Sequence, residues 1–168
     1  MCEITLLVGM CTMRYQAIVT KEGHATLAHF PDCPGCQTQA DSGEDIYSLA
    51  QEALEGWLEA HLVQGQVPPL PSARKHRVPA GARSVEIPIS PALAVRIQLR
   101  RARHKAGLSQ SALAKKVGVS QQQIAALESP DANLRLSTLL RVAKALGHEV
   151  EIGMSMTSSR KDRELQTA

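Results

Sequence analysis

The sequence predicts an α+β protein in which a small strand-rich unit is followed by an all-α unit. Three observations support this prediction. Residues 13–66 contain short alternating segments before a single amphipathic helix. Residues 67–83 contain four prolines, several cations and no helical periodicity, which is typical of a linker. Residues 91–154 repeat apolar side chains at helical spacing, and 168 residues suffice for two small domains.

Composition sets the class and the compartment that we expect. A hydrophobic content of 43% and a charged content of 21% are typical of a soluble globular chain. Because only 2% of the residues are aromatic, the cores must consist of Leu, Ile, Val and Ala. Four cysteines without an even framework of spacings predict a reducing compartment, so we expect the protein in the cytoplasm.

The first twelve residues, MCEITLLVGMCT, are interpreted as an upstream extension, with Met13 as the natural start. They lack a basic segment, and their apolar run is too short to cross a bilayer. No membrane partner is expected.

The strand-rich unit begins with two segments of alternating, β-prone residues. Residues 14–20 and 24–30 predict an antiparallel pair, with Lys21 to Gly23 as the turn. Pro34-Gly35 then predicts a tight bend between Cys33 and Cys36, because Pro presets φ and Gly accepts a positive φ. Gln37 to Ala40 is the expected third strand.

One helix and one further strand complete this part of the chain. Ser42 to Asp45 has the form of a capping box, and Gly65 is the expected helix end. The apolar positions between them have helical spacing: Ile46, Leu49, Ala50, Ala53, Leu54, Trp57, Leu58 and Leu62. Residues 84–89 alternate, and Pro88 restricts them to an edge strand. This strand either completes the N-terminal sheet or begins the next domain.

The all-α unit has the spacing of a helix-turn-helix. Ser90-Pro91 predicts a helix start, Gly107 its end, and Ser109 the cap of the next helix. Gly118 is expected as a left-handed terminator and Ser120 as the following cap. The apolar residues that would face the core are Leu113, Ala114, Val117, Val119, Ile124 and Leu127.

The polar residues of this motif are candidates for DNA binding. The expected outward face near the start of the second helix comprises Gln121, Gln122, Ala125 and Ala126. Glutamine both donates and accepts, which matches the N6 and N7 edge of adenine. The further DNA-binding candidates are Gln110, Lys115, Lys116, Ser120, Gln123 and Arg135. An indifferent polar surface or a solvated basic face is the plainer interpretation of the same residues.

Charge divides along the same boundary as the two units. Residues 13–66 carry two basic and eight acidic side chains, a net charge of −6. Residues 91–154 carry ten basic and four acidic side chains, a net charge of +6. The modest overall charge of +3 therefore conceals two halves that suit different partners.

Two families resemble these segments. LSQSALAKKVGVSQQQIAALES (108–129) with LSTLLRVAKALG (136–147) resembles the phage repressor and Cro type of DNA-binding domain, also called XRE. FPDCPGCQTQADSGEDIYSLAQEALEGWLEAHL with the following VPPLPS resembles the HicB antitoxins. Ala40 departs from the glycine common there. The second resemblance implies a partial RNase H-like β-β-β-α-β domain, a HicA-like RNA-cleaving toxin as partner, and repression of the protein's own operon.

The resulting expectation is a two-domain antitoxin and autorepressor without catalytic residues, cofactor or metal. The expected domains are a toxin-binding domain (13–66), the linker (67–83), a DNA-binding domain (91–154) and a disordered tail (155–168). The candidate toxin-binding or supporting residues are Phe30, Asp32, Pro34, Gly35, Asp41 and Trp57. For Phe30 and Trp57 the plainer interpretation is simple core, and for Trp57 this interpretation is preferred to toxin binding.

The same residues disfavour a zinc site, redox chemistry and nuclease activity. Zinc needs four ligands, yet Cys33 and Cys36 are the only close pair and the six histidines form no evident second pair. Redox chemistry is disfavoured because Cys36 leads into a strand instead of opening a helix. A two-metal nuclease needs converging carboxylates, whereas the acidic residues recur along one solvated helix face. A repressor whose first domain senses a small ligand stays open as the alternative.

DNA recognition also predicts the oligomeric state. One recognition helix contacts only a few base pairs, which is too little to select an operator in a genome. A homodimer or higher homo-oligomer is therefore expected on double-stranded operator DNA, with an inverted repeat as the site. Residues 148–154 alternate and predict a short strand that could pair between subunits.

Overall fold

The computed structural model describes residues 13–130 and 135–150. Within these ranges the strands are β1 (Arg14–Glu22), β2 (Ala25–His29), β3 (Gln37–Ala40) and β4 (Ala82–Pro88). The helices are α1 (Ile46–Val63), α2 (Pro91–Lys105), α3 (Gln110–Val117), α4 (Gln121–Glu128) and α5 (Leu136–Ala145). The α+β class is confirmed. The upstream extension, the tail and most of the strand predicted at 148–154 lie outside the described residues.

The four strands form one antiparallel sheet in the order β3-β2-β1-β4. β1 pairs with β2 from Ile18↔His29 to Glu22↔Ala25, so Lys21 and Glu22 belong to the strand and not to the turn. Gly23 has a φ of 61° and opens a two-residue turn, a backbone conformation that glycine adopts without steric cost. The hairpin prediction is confirmed, with its turn displaced along the chain.

The strand after the Pro-rich segment completes the N-terminal sheet. β4 pairs antiparallel with β1 from Arg14↔Pro88 to Thr20↔Ala82 and lies at the sheet edge. Pro88 falls at its last position, where the missing N–H disrupts least. The structure thus decides between the two roles that the sequence left open for this segment.

Helix α1 packs on one face of the sheet and is capped at its start by Asp45. The Asp45 carboxylate accepts hydrogen bonds from Tyr47 N at 3.1 Å and Ser48 Oγ at 2.8 Å. The prediction of Ser42 as the cap was wrong because the preceding residues form their own turn, in which Asp41 N donates to the Glu44 carboxylate at 2.8 Å. Gly43, with a φ of 98°, cannot continue a helix there.

The sheet core is formed between α1, the sheet and the start of α2. From β1 it takes alternate residues, Tyr15, Ala17 and Val19, as the period of two requires. From α1 it takes Ile46, Ala50, Leu54, Leu58 and Leu62, which recur at three and four.

The Pro-rich segment is held against the sheet. We call residues 67–81 the strap. Tyr15 donates its hydroxyl hydrogen to Pro69 O at 2.8 Å. Gln16, only 6% exposed, donates to His76 O at 3.1 Å and accepts from His76 N at 2.6 Å. The segment predicted as a plain linker therefore carries specific contacts.

The helical core lies among α2, α3, α4 and α5. Its buried members are Val95, Leu99, Leu113, Ala114, Ile124, Leu127, Leu139 and Val142. Helix α2 also gives Leu93, Ala94 and Ile97 to the sheet core. One helix thus serves both cores, with different faces turned to each.

Candidate functional site

The turn between α3 and α4 forms as its sequence predicts. Ser109 caps α3 by accepting a hydrogen bond from Ala112 N at 3.1 Å. Gly118, at a φ of 69°, ends α3 in the left-handed conformation. Ser120 then opens α4 in a capping box: Gln123 N donates to the Ser120 hydroxyl, and Ser120 N donates to the Gln123 side chain.

Burial of one face of α4 fixes which residues point outward. Ile124 is 1% exposed and Leu127 is 4% exposed, both within the helical core. Gln121 and Gln122 are exposed on the opposite side, and Ala125 is half-buried. The two glutamines thus have free amide groups at the helix start, whereas the Gln123 side chain is engaged in the cap at 2.9 Å.

An open groove lies beside these glutamines. It has a volume of about 290 Å³ and is lined by Gln122, Gln123, Ala126, Leu127, Arg135 and Thr138. Arg135 is exposed at the start of α5, so the groove has a cation on one side and the outer face of α4 on the other. Lys115 and Lys116 are exposed in the last turn of α3. Glutamines flanked by cations suit a DNA duplex, because the cations attract its phosphates and the glutamines can form hydrogen bonds with its base edges.

Gln110 lies at the start of α3 but turns inward. Its Nε2 donates a hydrogen bond to Glu128 Oε2 at 3.1 Å, and the residue is half-buried. An amide nitrogen carries two hydrogens, so one N–H is left for the phosphate contact expected at this position.

A buried ion network fixes the far end of α4. Glu128 is 2% exposed and receives Arg103 Nε at 2.6 Å on Oε1 and Arg103 Nη2 at 2.8 Å on Oε2. Arg100 Nε adds a third contact at 3.1 Å. Burial alone would raise the pKa of Glu128, but the hydrogen bonds from Arg103 and Gln110 and the charges of both arginines outweigh it, so this pKa lies below its usual value. The carboxylate therefore stays ionised.

The sequence analysis did not predict this network because the arginines of α2 enter it only as part of a net charge. Arg96, Arg100 and Arg103 are buried, at 7%, 5% and 7% exposure. Their spacing of four and three on an otherwise apolar helix side was the available signal. The exposed cations of this unit are Arg101, Lys105, Lys115, Lys116, Arg135, Arg141 and Lys144.

Arg141 connects α5 to the turn. Its Nη2 donates to Val117 O at 2.6 Å and to Gly118 O at 3.3 Å. These carbonyls lie at the end of α3, where no further turn of helix donates an N–H to them. The side chain thus stabilises the angle between α3 and α4, a role that no local sequence pattern indicates.

The candidate residues of the N-terminal unit divide into surface and support. Pro34, Gly35 and Asp41 are exposed. Phe30 is 2% exposed and belongs to the sheet core. Trp57 is half-buried and stacks on the His61 ring with centroids 3.7 Å apart. The Trp57 side chain packs against the sheet core but stays partly exposed, so it is less buried than Phe30.

Asp32 is a supporting residue and not a free surface charge. Its carboxylate accepts hydrogen bonds from Ser72 N at 3.0 Å, from the Ser72 hydroxyl and from His76 Nε2 at 2.7 Å. Its side chain is 8% exposed. Burial would raise its pKa, but the hydrogen bonds from Ser72 and His76 hold that pKa below its usual value. Asp32 fastens the strap to the loop that follows β2.

The two cysteines bracket the predicted bend and are buried. Cys36 N donates to Cys33 O at 2.9 Å across Pro34-Gly35, and Gly35 has a φ of 83°. Burial raises the pKa of Cys33 to about 12 and that of Cys36 to about 11, so both thiols stay protonated at neutral pH. Within residues 13–130 and 135–150, no three His, Cys, Asp or Glu side chains converge on a metal position.

None of the helices in the described part of the chain is both long and apolar enough to span a bilayer.

The fold and the α4 face define a helix-turn-helix DNA-binding protein with an additional strand-rich unit. Residues 99–152 match a family described as "Helix-turn-helix", and residues 15–81 match one described as "HicB_like antitoxin of bacterial toxin-antitoxin system". Together with the curated relatives, these two matches support a HicB antitoxin with a C-terminal helix-turn-helix of the XRE type.

Curated relatives are similar to this chain over most of their length. "Antitoxin HicB 1" of Photorhabdus laumondii is 28% identical over 125 residues, which are 74% of this chain and 76% of that one. "Antitoxin HicB" of Escherichia coli K12 is 26% identical over 144 residues, 84% of this chain and 99% of that one. A solved "HicA3 and HicB3 toxin-antitoxin complex" matches at 27% identity with a TM-score of 0.38, over 47% of this chain and 100% of that one.

Proposed function

We propose that this antitoxin neutralises a HicA-like, RNA-cleaving toxin through its N-terminal unit and represses its own operon through α4. The observation that carries the proposal is the presence, in one chain, of a HicB-like unit at residues 15–81 and of an α4 face that presents Gln121 and Gln122 to solvent. The protein itself has no catalytic role in this account.

Neutralisation is proposed to be steric. The N-terminal unit carries a net charge of −6 over residues 13–66, which would speed encounter with a cationic RNA-binding surface. Pro34, Gly35, Asp41 and the exposed part of Trp57 are the proposed contacts. Phe30 and Asp32 are proposed to support them from beneath, Phe30 through the core and Asp32 through the strap.

We also propose the extents of the two domains. The order β1-β2-β3-α1-β4 is the one expected for a partial RNase H-like domain. We propose that this domain comprises residues 13–66 together with the strap and β4. The DNA-binding domain would then be an all-α helix-turn-helix that starts at α2, and the protein would act in the cytoplasm.

Operator recognition is proposed to require a homodimer or higher homo-oligomer. Each α4 reaches only a few base pairs, and two copies related by a two-fold axis read sites about one helical turn apart. Gln121 and Gln122 would contact bases, whereas Lys115, Lys116, Arg135, the remaining N–H of Gln110 and the Ser120 end of α4 would contact phosphates. Ala125 would allow close approach to the groove.

Two experiments test the two halves of the proposal. The chain is co-expressed with a HicA-like protein, and the purified material is weighed by native mass spectrometry. A stable complex containing both proteins is expected, and two proteins that elute separately would contradict the toxin-binding half. Footprinting upstream of the operon should show a protected inverted repeat. A protected site without that symmetry would contradict the proposal that a dimer contacts the operator with two copies of α4.

A further inference from the structure

Helix α2 is structurally shared by the two units that bind different partners in the proposed function. Leu93, Ala94 and Ile97 lie in the sheet core, whereas Val95 and Leu99 lie in the helical core. A helix packed into two cores cannot shift in one of them without disturbing the other. The two units therefore have a rigid element in common.

One side chain of α2 reaches the ends of both α1 and α4. Arg100 Nη1 donates hydrogen bonds to Leu62 O and, at 3.1 Å, to Gln66 O, beyond the last turn of α1. The same guanidinium donates from Nε to Glu128 Oε2 at 3.1 Å. Arg100 is 5% exposed, so little water has access to replace these contacts.

The contacts of Arg100 are separable from those that hold the helical unit together. Glu128 keeps both hydrogen bonds from Arg103 and the one from Gln110 when Arg100 is removed. The carbonyls of Leu62 and Gln66, in contrast, lose their donor from α2. Arg101 also approaches the strap, at 3.4 Å from Pro68 O, but from an exposed position.

We propose that Arg100 is a positioning residue that couples the toxin-binding unit to the DNA-reading helix, because its guanidinium ties the end of α1 to the end of α4. This inference rests on the proposed function. Toxin bound against α1 would shift the two carbonyls that Arg100 holds, and Arg100 would pass that shift to Glu128 and α4. Such coupling is reciprocal, so DNA on α4 must act equally on the end of α1.

The first test needs no ligand. Native-state amide exchange is measured at increasing urea on peptides from the end of α1 (58–66) and from α4 (121–129). In the wild-type protein both segments should open together, whereas in Arg100→Met their opening rates should diverge by about tenfold or more. Lys105→Gln, which removes an exposed charge from the same helix, should leave the two segments together. Continued joint opening in Arg100→Met would overturn the proposal.

Arg100→Lys separates charge from geometry. Lysine keeps the positive charge but lacks the planar fork that contacts two carbonyls and a carboxylate at once. We expect it to uncouple the segments as Arg100→Met does, and it replaces that variant if circular dichroism shows Arg100→Met to be unfolded. Wild-type coupling in Arg100→Lys would show that charge alone, and not the fork, joins the units.

The second test uses a random-sequence DNA duplex as the probe. Binding is followed by fluorescence anisotropy of the labelled duplex, and exchange is measured at the end of α1. The duplex should slow exchange there in the wild-type protein but not in Arg100→Met, although both proteins bind it. Slowed exchange in both proteins would overturn the coupling role. If the wild-type protein does not bind the duplex, the DNA half of the proposed function fails, while the ligand-free exchange still decides the role of Arg100.

Discussion

Arg103 and Glu128 form a bidentate salt bridge. Arg103 Nε lies 2.6 Å from Glu128 Oε1, and Arg103 Nη2 lies 2.8 Å from Glu128 Oε2. Both residues are buried, at 7% and 2% exposure. The pair joins α2 to the last turn of α4, so it fixes the helix whose first turn carries the proposed base contacts.

Glu128→Gln is expected to destabilise the helical unit strongly. It leaves Arg103 and Arg100 buried without a counter-charge, a change that typically costs about 3–5 kcal/mol. Urea unfolding at neutral pH followed by circular dichroism measures the loss. Glu149→Gln, at an exposed position of the same unit, is the matched control. A loss below about 1 kcal/mol would show that the network contributes no more than an exposed ion pair does.

Asp32→Asn is expected to loosen the strap and to alter the pH dependence of stability. The substitution weakens hydrogen bonds from Ser72 and His76 to a charged acceptor, for which we expect a loss of about 1.5–3 kcal/mol. The folded pKa of Asp32 lies below its usual value of 3.8, so the carboxylate stabilises the fold above about pH 3.8. That contribution disappears as the pH falls through the folded pKa.

The free energies of unfolding of wild type and Asp32→Asn should therefore differ at pH 6 and converge as the solution is acidified below about pH 4. Trp57 fluorescence reports the unfolding, since Trp57 is the one tryptophan of the chain. Asp41→Asn, at an exposed position, serves as the control. A constant difference between wild type and Asp32→Asn across this pH range would mean that the Asp32 charge does not hold the strap.

Combined replacement of Gln121 and Gln122 by Ala should abolish sequence discrimination and spare general DNA binding. Each bidentate base contact contributes about 1–3 kcal/mol of discrimination, so operator affinity should fall at least about fivefold per glutamine. Affinity for a scrambled duplex should change little because no charge is removed. Anisotropy titrations with both duplexes measure the two affinities, with Gln39→Ala on β3 as the control. Undiminished discrimination would place the reading face elsewhere.

Lys115→Ala and Lys116→Ala should weaken operator and scrambled duplex alike. Loss of one phosphate contact lowers the slope of log affinity against log salt by about 0.9. Lys75→Ala removes the same charge from the strap, where Lys75 pairs with Glu86 at 3.3 Å, and should leave the slope unchanged. Salt slopes that stay at the wild-type value in both α3 variants would exclude these lysines from the DNA backbone contacts.

The parts of the fold that the sequence predicted are those set by local signals. Gly118 ends α3 and Ser120 begins α4 through contacts within a few residues. The identity of these two residues therefore suffices to predict where the helices end and begin. Pro88 restricts its strand to an edge by lacking a donor, whichever unit that strand joins. The same logic failed at Ser42, because two candidate caps stood close together and the turn around Gly43 decided between them.

The parts that the sequence could not predict rest on contacts between distant residues. Asp32 meets His76 across 44 positions, and Arg100 meets Glu128 across 28. Composition counts such residues as surface charge, since Arg and Asp are seldom buried unless paired. The sequence predicts a plain linker in place of the strap for the same reason. The prolines of the strap lie within the segment itself, whereas Gln16 and Asp32, whose side chains hold it, are distant in sequence.

We expect one chain to carry separate surfaces for toxin and DNA, and inhibition of the toxin's RNA cleavage is the measurement that distinguishes these surfaces. A HicA-like protein is incubated with a labelled RNA while the antitoxin is titrated, either as wild type or with Gln121 and Gln122 both replaced by Ala. We expect both forms to stop cleavage at the same stoichiometric amount, because the α4 face takes no part in toxin binding. Cleavage that continues with excess wild-type protein, or inhibition lost in the double variant alone, would contradict it.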